Sequence, residues 1–258
     1  MRGDKLAELR PNRVKRKLED GDVALIVQGE LTPDLVELLG PIGFDGIWIE
    51  GEHGPVDFAD IRDFTRAADL WGLTSVARVN LNIPGVIYRT LDQGAQAVVV
   101  PHINTADEAR TVLDAAKFAP IGSRGSYMSR QGIGVEDYYI KANDETMTMI
   151  LIEDIIAVDN LEEILAVDID VFYVAPGDLA QSMGYPGQHT HPDVQQTVDE
   201  TIARIIAAGR VAGALATDGS VEDYVDKGAR LISTSYNQWL TSGAQSYLGK
   251  AKAAINKR

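Results

Sequence analysis

Glu153 and Asp178 lie just beyond two consecutive β-branched runs, Thr148–Ile152 and Val171–Val174. Two carboxylates from adjacent strand ends suit a hard divalent cation, with water and substrate oxygens filling its remaining positions. Each also has a plainer use, Asp178 as the N-cap of a helix beginning near Leu179 and Glu153 as the partner of a lysine. Ala175-Pro176-Gly177-Asp178 opens that helix directly after a strand. Free backbone N–H groups there suit a carboxylate or phosphate, and Gly177 lets a ligand approach the backbone closely. His53 stands among acids in Glu50-Gly51-Glu52-His53-Gly54. Glu50 could orient and charge it as an acid/base pair, or His53 is simply a surface histidine. Arg78 ends the apolar run SVA, where a buried charge needs an anionic ligand or a structural ion pair. Arg124, in GSRG, could bind an anion or serve a turn. His102 also ends a strand-like run, but it, His189 and His191 lack the acidic company of His53.

The elements that must position these groups alternate regularly. Strand-like runs occupy Val23–Gln28, Gly46–Glu50, Thr74–Arg78, Ala97–Pro101, Thr148–Ile152, Val171–Val174, Val211–Leu215 and Arg230–Ser233. Several, such as VALIVQ and AVVVP, are apolar throughout, as strands buried on both faces of a parallel sheet are. Amphipathic stretches lie between them, with N-caps expected at Thr32 (before Pro33), Thr105 and Ser220. Eight such alternations predict a (β/α)8 TIM barrel. The rival, a doubly wound open sheet, normally brings a glycine-rich turn after its first strand, and GELTPD stands there instead. A barrel places its site at the C-terminal strand ends, where the ionisable residues above recur from the second strand to the sixth. With no repeats or Pro/Gly-rich linkers, residues 1–258 read as one domain, with 1–20 as an N-terminal helical extension. Two segments break the alternation. Residues 120–147 form a connection long enough to suggest a functional loop, and Gln188–Pro192 carries two of the four histidines.

Bulk composition narrows the partners. A net charge of −14 argues against nucleic acid and anionic membrane, although a bound cation and a few arginines can still attract a small anion locally. The absence of cysteine excludes thiolate chemistry and suits a reducing cytoplasm. The polar N-terminus holds no apolar signal core, and no apolar run reaches the roughly 18–20 residues of a membrane span. The composition is that of a soluble protein.

The runs FDGIWIEGEHGP, VARVN, LDQGAQAVVVPHINTADEA, PIGSRG, IED and APGDLAQSMG, in that order from about Asn12 to Ser246, resemble the HpcH/HpaI aldolase family, the class II pyruvate aldolases. The resemblance implies a (β/α)8 barrel and a divalent cation (Mg, Mn or Co). It also implies cleavage or formation of 4-hydroxy-2-oxo acids from a small 2-oxo acid and an aldehyde, through a metal-stabilised enolate. It further implies a hexamer, a trimer of dimers, with C-terminal helices exchanged between subunits. The last helical pattern here, about Trp239–Lys257, could serve that exchange. Carried over residue by residue, Glu153 and Asp178 match the metal ligands, His53 the base and Arg78 the arginine facing the enolate. Gly177 and Asp178 fall where backbone amides hold the pyruvate carboxylate.

Three positions depart from the family pattern: Glu50 replaces an aspartate that partners the histidine, Leu151 a glutamine, and Ala175 a glycine. Leu151 removes a polar group near the expected cation and bears on which substrate is taken. No Schiff-base route is needed, and the apolar strands offer no buried lysine for one. Two other readings fit the same residues. One is a carbon–carbon lyase or synthase acting on oxaloacetate or a citrate-like acid. The other is a non-catalytic barrel that binds an organic acid.

Overall fold

The computed structural model describes residues 7–257. Its strands are β1 Ala24–Gln28, β2 Gly46–Glu50, β3 Thr74–Arg78, β4 Ala97–Val100, β5 Met147–Ile152, β6 Val171–Val174, β7 Ala212–Leu215 and β8 Leu231–Ser235. Each pairs in parallel with its neighbours in sequence, and β8 closes on β1. This is the predicted (β/α)8 barrel.

The helices are α1 Arg13–Glu19, α2 Pro33–Leu39, α3 Phe58–Leu70, α4 Pro84–Asp92, α5 Ala106–Ala116 and α6 Tyr138–Glu145, followed by α7 Ile155–Asp159, α8 Leu161–Leu165, α9 Pro176–Ser182, α10 Pro192–Ala207, α11 Val221–Asp226 and α12 Tyr236–Ile255. Local chemistry sets several of their starts. The Leu35 N–H donates to Thr32 Oγ1 at 3.2 Å, with Pro33 in the first turn of α2. Thr105 and Glu108 form a reciprocal capping box on α5. Ser220 departs from expectation: its hydroxyl accepts the Thr217 N–H at 2.9 Å and does not cap α11.

Strand alternation sorts the core into two layers. Ile26, Trp48, Val76, Val99, Leu151 and Tyr173 face the barrel interior. Their neighbours Val98, Ile150, Ile152, Phe172 and Val174 face outward beneath the helices. By the same parity Glu50, Arg78, Glu153 and Ala175, two residues beyond Trp48, Val76, Leu151 and Tyr173, point into the mouth of the barrel at its C-terminal end.

Two expectations change. Within the described part of the N-terminal extension, only Arg13–Glu19 is helical, and residues 1–6 lie outside the described residues. That helix is no appendage: Val14 and Leu18 join the interior layer and close the N-terminal end of the barrel. Asn12 locks it there, its Nδ2 donating to Gln96 O at 3.2 Å and Glu145 O at 3.0 Å. The connection 120–147 is not a loop over the site. It contains α6 and packs its Val135, Tyr138 and Ala142 against Phe118 at the opposite end, because it must return the chain to the start of β5.

Candidate active site at the C-terminal barrel mouth

A cavity of about 350 Å³ opens among the C-terminal strand ends. Trp48, Leu151, Tyr173 and Leu215 supply apolar wall, Glu50 and Arg78 form its charged side, and Ala175, Pro176 and Gly177 line the edge where α9 begins. Tyr173 and Trp48 pack with ring centroids 5.4 Å apart, and the Tyr173 hydroxyl lies 2.6 Å from Ser233 Oγ. A larger cleft of about 640 Å³ lies at the other end, among Lys15, Lys117, Asp168 and Asp170. Its buried Lys117 donates to Asn143 O at 2.7 Å and Thr146 O at 2.5 Å, so this lysine ties the barrel floor together.

Arg78 is held on two sides. Its Nε lies 2.9 Å from Glu50 Oε2, its Nη2 2.8 Å from the same oxygen, and its Nη1 2.8 Å from Glu52 Oε2. Burial opposes ionisation of Glu50, but Arg78 and the amides of His53 and Glu52 outweigh it, and the carboxyl sits below the ordinary range. Trp48 Nε1 adds a bond to Glu50 Oε2 at 3.2 Å. This corrects the expected pairing of Glu50 with the His53 imidazole. Glu50 accepts the backbone N–H of His53 at 3.0 Å, while the imidazole is largely exposed, with Nε2 3.8 Å from Glu52 Oε2. The extra methylene of Glu50 lets its carboxylate reach the arginine.

Glu153 is 1% exposed. Its Oε1 accepts the His102 N–H at 2.8 Å, while Oε2 is buried without a hydrogen-bond partner. Burial pushes the carboxyl up to about 7; the N–H and ring of His102 pull it down, and Asp178 and Glu52 push it up. Asp178 lies within the first turn of α9, inside the helix and not at its N-cap. An orphaned, desolvated carboxylate oxygen in the field of two other acids is costly unless a cation meets it, so the donor set fits a hard divalent ion. Among the described residues, no group of three or more His, Cys, Asp or Glu side chains is gathered as a ready metal cage. Protein ligands would therefore be few, with water and substrate oxygens supplying the rest.

Gly177 faces open space: a Cβ there would meet nothing within 4 Å, and the first-turn N–H groups of Gly177 and Asp178 lack intrahelical acceptors. Arg124 is elsewhere. It is buried at the N-terminal end, its Nη2 2.7 Å from Asp92 Oδ1 and its guanidinium 4.5 Å from the Phe118 ring, which makes it a structural ion pair there.

The structure also adds residues that the sequence reading passed over. The His102 ring meets acids after all, with Nδ1 3.0 Å from Asp154 Oδ2 and Nε2 3.9 Å from Glu52 Oε1. Burial lowers its pKa, but Asp154, Glu153 and Glu52 together raise it above the ordinary value. His189 lines the cavity, whereas His191 accepts the Asp193 N–H at the start of α10 and stacks on Tyr185. Trp48 and Tyr173 were within reach of strand parity, lying two residues before Glu50 and Ala175. His189 had no such signal, since its segment folds back onto the rim only in three dimensions.

Comparisons with known proteins bear on the family and the fold. The model of the HpcH/HpaI aldolase/citrate lyase family matches residues 26–241. A hydroxypyruvate/pyruvate aldolase of Roseobacter denitrificans is 35% identical over 231 residues, 87% of this chain and 90% of that protein. A 2-keto-3-deoxy-L-rhamnonate aldolase of Klebsiella pneumoniae is 36% identical over 217 residues, 81% of each. A solved HpcH/HpaI aldolase/citrate lyase family protein from Burkholderia cenocepacia superposes with a TM-score of 0.88 at 30% identity, covering 93% of this chain and 99% of that one.

Proposed function

Because the chain belongs to the HpcH/HpaI aldolase/citrate lyase family, we propose that it is a divalent-metal-dependent aldolase. It makes and breaks the C3–C4 bond of 4-hydroxy-2-oxo acids, with a small 2-oxo acid and an aldehyde as its partners. The observation that carries this reading is Glu153, buried with a free oxygen in the same barrel mouth as Arg78. Glu153 and Asp178 would hold the cation (Mg, Mn or Co), which supplies Lewis acidity toward the oxygens of a 2-oxo acid.

The chain's own groups do the rest. The Nε–H of Arg78 donates to Glu50, and its terminal nitrogens lie 2.8 Å from Glu50 Oε2 and Glu52 Oε2, with N–H donors left over for a developing oxyanion. Glu50 keeps that guanidinium in place. His53, on the exposed rim, moves the proton to and from the C4 hydroxyl. Ala175, Pro176 and Gly177 form the edge on which the substrate carboxylate rests, and the space beside Gly177 admits it to the backbone N–H groups. Leu151 closes the apolar side.

Assembly belongs to the same proposal. The helix α12 buries none of its residues, and Leu240, Tyr247, Leu248 and Ile255 stand exposed along it. An apolar stretch of this kind calls for a partner, and a hexamer with exchanged C-terminal helices would cover it. No helix among the described residues is long and apolar enough to cross a membrane.

The deciding experiment is a coupled pyruvate-release assay across a panel of 4-hydroxy-2-oxo acids and oxaloacetate, with and without chelator. Cleavage of a 4-hydroxy-2-oxo acid that stops on chelation supports the proposal. Chelator-resistant cleavage, or turnover of oxaloacetate alone, refutes it.

A further inference from the structure

His102 has a backbone φ of 53°, in the left-handed region that side-chain-bearing residues avoid, and it lies two residues beyond the end of β4. A glycine adopts this conformation without steric cost, and histidine, like asparagine, enters it more readily than most residues, so the contacts of the ring have only a modest cost to offset. Two contacts depend on this conformation. The His102 N–H points at Glu153 Oε1, 2.8 Å away, the sole hydrogen bond Glu153 receives from the described residues. The ring lies beside the same carboxylate, with Nδ1 3.6 Å from Glu153 Oε1, but its hydrogen bond goes to Asp154 Oδ2 at 3.0 Å, an oxygen that Asn104 Nδ2 also meets at 3.2 Å. Asn104 is itself fixed, its backbone N–H donating to Glu108 Oε2 at 2.7 Å and its carbonyl accepting from Asn160 Nδ2 at 2.9 Å. The tether of the ring therefore ends on a rigid frame and not on a free side chain.

The consequence falls on Glu153. With Oε1 engaged by an N–H, the carboxylate cannot rotate freely, and the remaining oxygen, Oε2, is the one left without a partner. Without that N–H both oxygens would be equivalent, and the carboxylate would sample orientations that turn neither toward a ligand. We infer that His102 is a positioning residue: its ring, tied to Asp154, holds the left-handed backbone whose N–H orients Glu153 to offer a cation a single oxygen. This rests on the reading of Glu153 as a cation ligand. It assigns His102 no contact with substrate and no proton to carry.

The test is binding of Mn2+ alone to metal-free protein, followed by the EPR signal of the free ion, with turnover measured alongside. His102→Ala should weaken Mn2+ binding about 10–100-fold, the usual cost of losing a group that orients a ligand. Asp154→Ala, which leaves residue 102 unaltered, should weaken binding in the same range. His102→Asn keeps a residue that tolerates the left-handed region and can donate to Asp154, so it should bind within about three-fold of wild type. A His102→Ala protein that binds Mn2+ like wild type overturns the inference. So does a His102→Asn protein as weak as His102→Ala, or one that binds normally yet loses turnover, since the ring itself would then be required. Wild-type protein that binds no Mn2+ removes the cation reading of Glu153 and this inference with it, an outcome distinct from the others.

Discussion

Glu50 and Arg78 are register partners on β2 and β3, and their side chains meet in a forked ion pair with Nε and Nη2 both within 2.9 Å of Glu50 Oε2. Adjacent parallel strands place these two residues side by side at the barrel mouth, so the pair is built into the sheet. Glu50 thus serves the arginine, and His53 gains from it only a backbone hydrogen bond.

Glu50→Gln keeps an acceptor but removes the charge that grips Arg78. A charge-assisted bond is worth about 1.5–3 kcal/mol, so kcat should fall roughly ten-fold or more. The shape of the pH–rate profile should stay as it is. A displaced limb in a steady-state pH profile would mean that Glu50 partners the imidazole after all.

Arg78→Ala should cost about 10²–10³ in turnover through lost oxyanion stabilisation, with little effect on Mn2+ affinity. His53→Ala should cost about 10²–10⁴ as the acid/base group. A His53→Ala enzyme with unchanged kcat would return that histidine to the ordinary surface.

Stability should report the state of Glu153. Its folded pKa of about 7 lies above the ordinary 4.5, so the group favours the fold when protonated. That contribution is fully present below about pH 4.5 and lost as pH rises through about 7. In chelator, wild type should therefore lose up to about 3 kcal/mol relative to Glu153→Gln between about pH 5 and pH 8. Paired thermal melts across that range check it, and a difference that stays flat with pH contradicts it.

Leu151→Gln places a polar amide in the apolar wall beside Trp48 and Tyr173. Aldol cleavage should persist while the preferred 2-oxo acid changes, read as kcat/KM ratios between pyruvate-yielding substrates and more polar analogues. Aldolase activity appearing only in the variant would mean that the native enzyme does different chemistry, with oxaloacetate the first substrate to try.

The exposed apolar residues of α12 predict an assembly larger than one chain. Light scattering should give a mass near six times 28.0 kDa, and removal of α12 should leave smaller species. A 28.0 kDa particle at micromolar concentration contradicts this.

The barrel was legible in the sequence because strand burial is a local property: a run apolar on every residue has few places to go but a sheet covered on both sides. The strand-end positions of Glu50, Arg78, Glu153 and Asp178 followed from the same runs, since alternation and chain order settle which residues reach the mouth. Partnerships were another matter. Whether Glu50 turns to His53 or Arg78 depends on the β2–β3 register and on side-chain reach, and a one-residue slip would have separated Glu50 from Arg78. Arg124 looked like an anion site when its GSRG turn was read alone; it belongs to the connection from α5 to the start of β5, which lies at the N-terminal strand ends, away from the mouth. His102 found its acids only because β4 and β5 run side by side and its backbone turns left-handed after Pro101. Periodicity is written along the chain, whereas the hydrogen bonds from His102 beyond β4 to Glu153 and Asp154 beyond β5 join residues 51 and 52 positions apart, and only the pairing of those strands brings them within 3.0 Å.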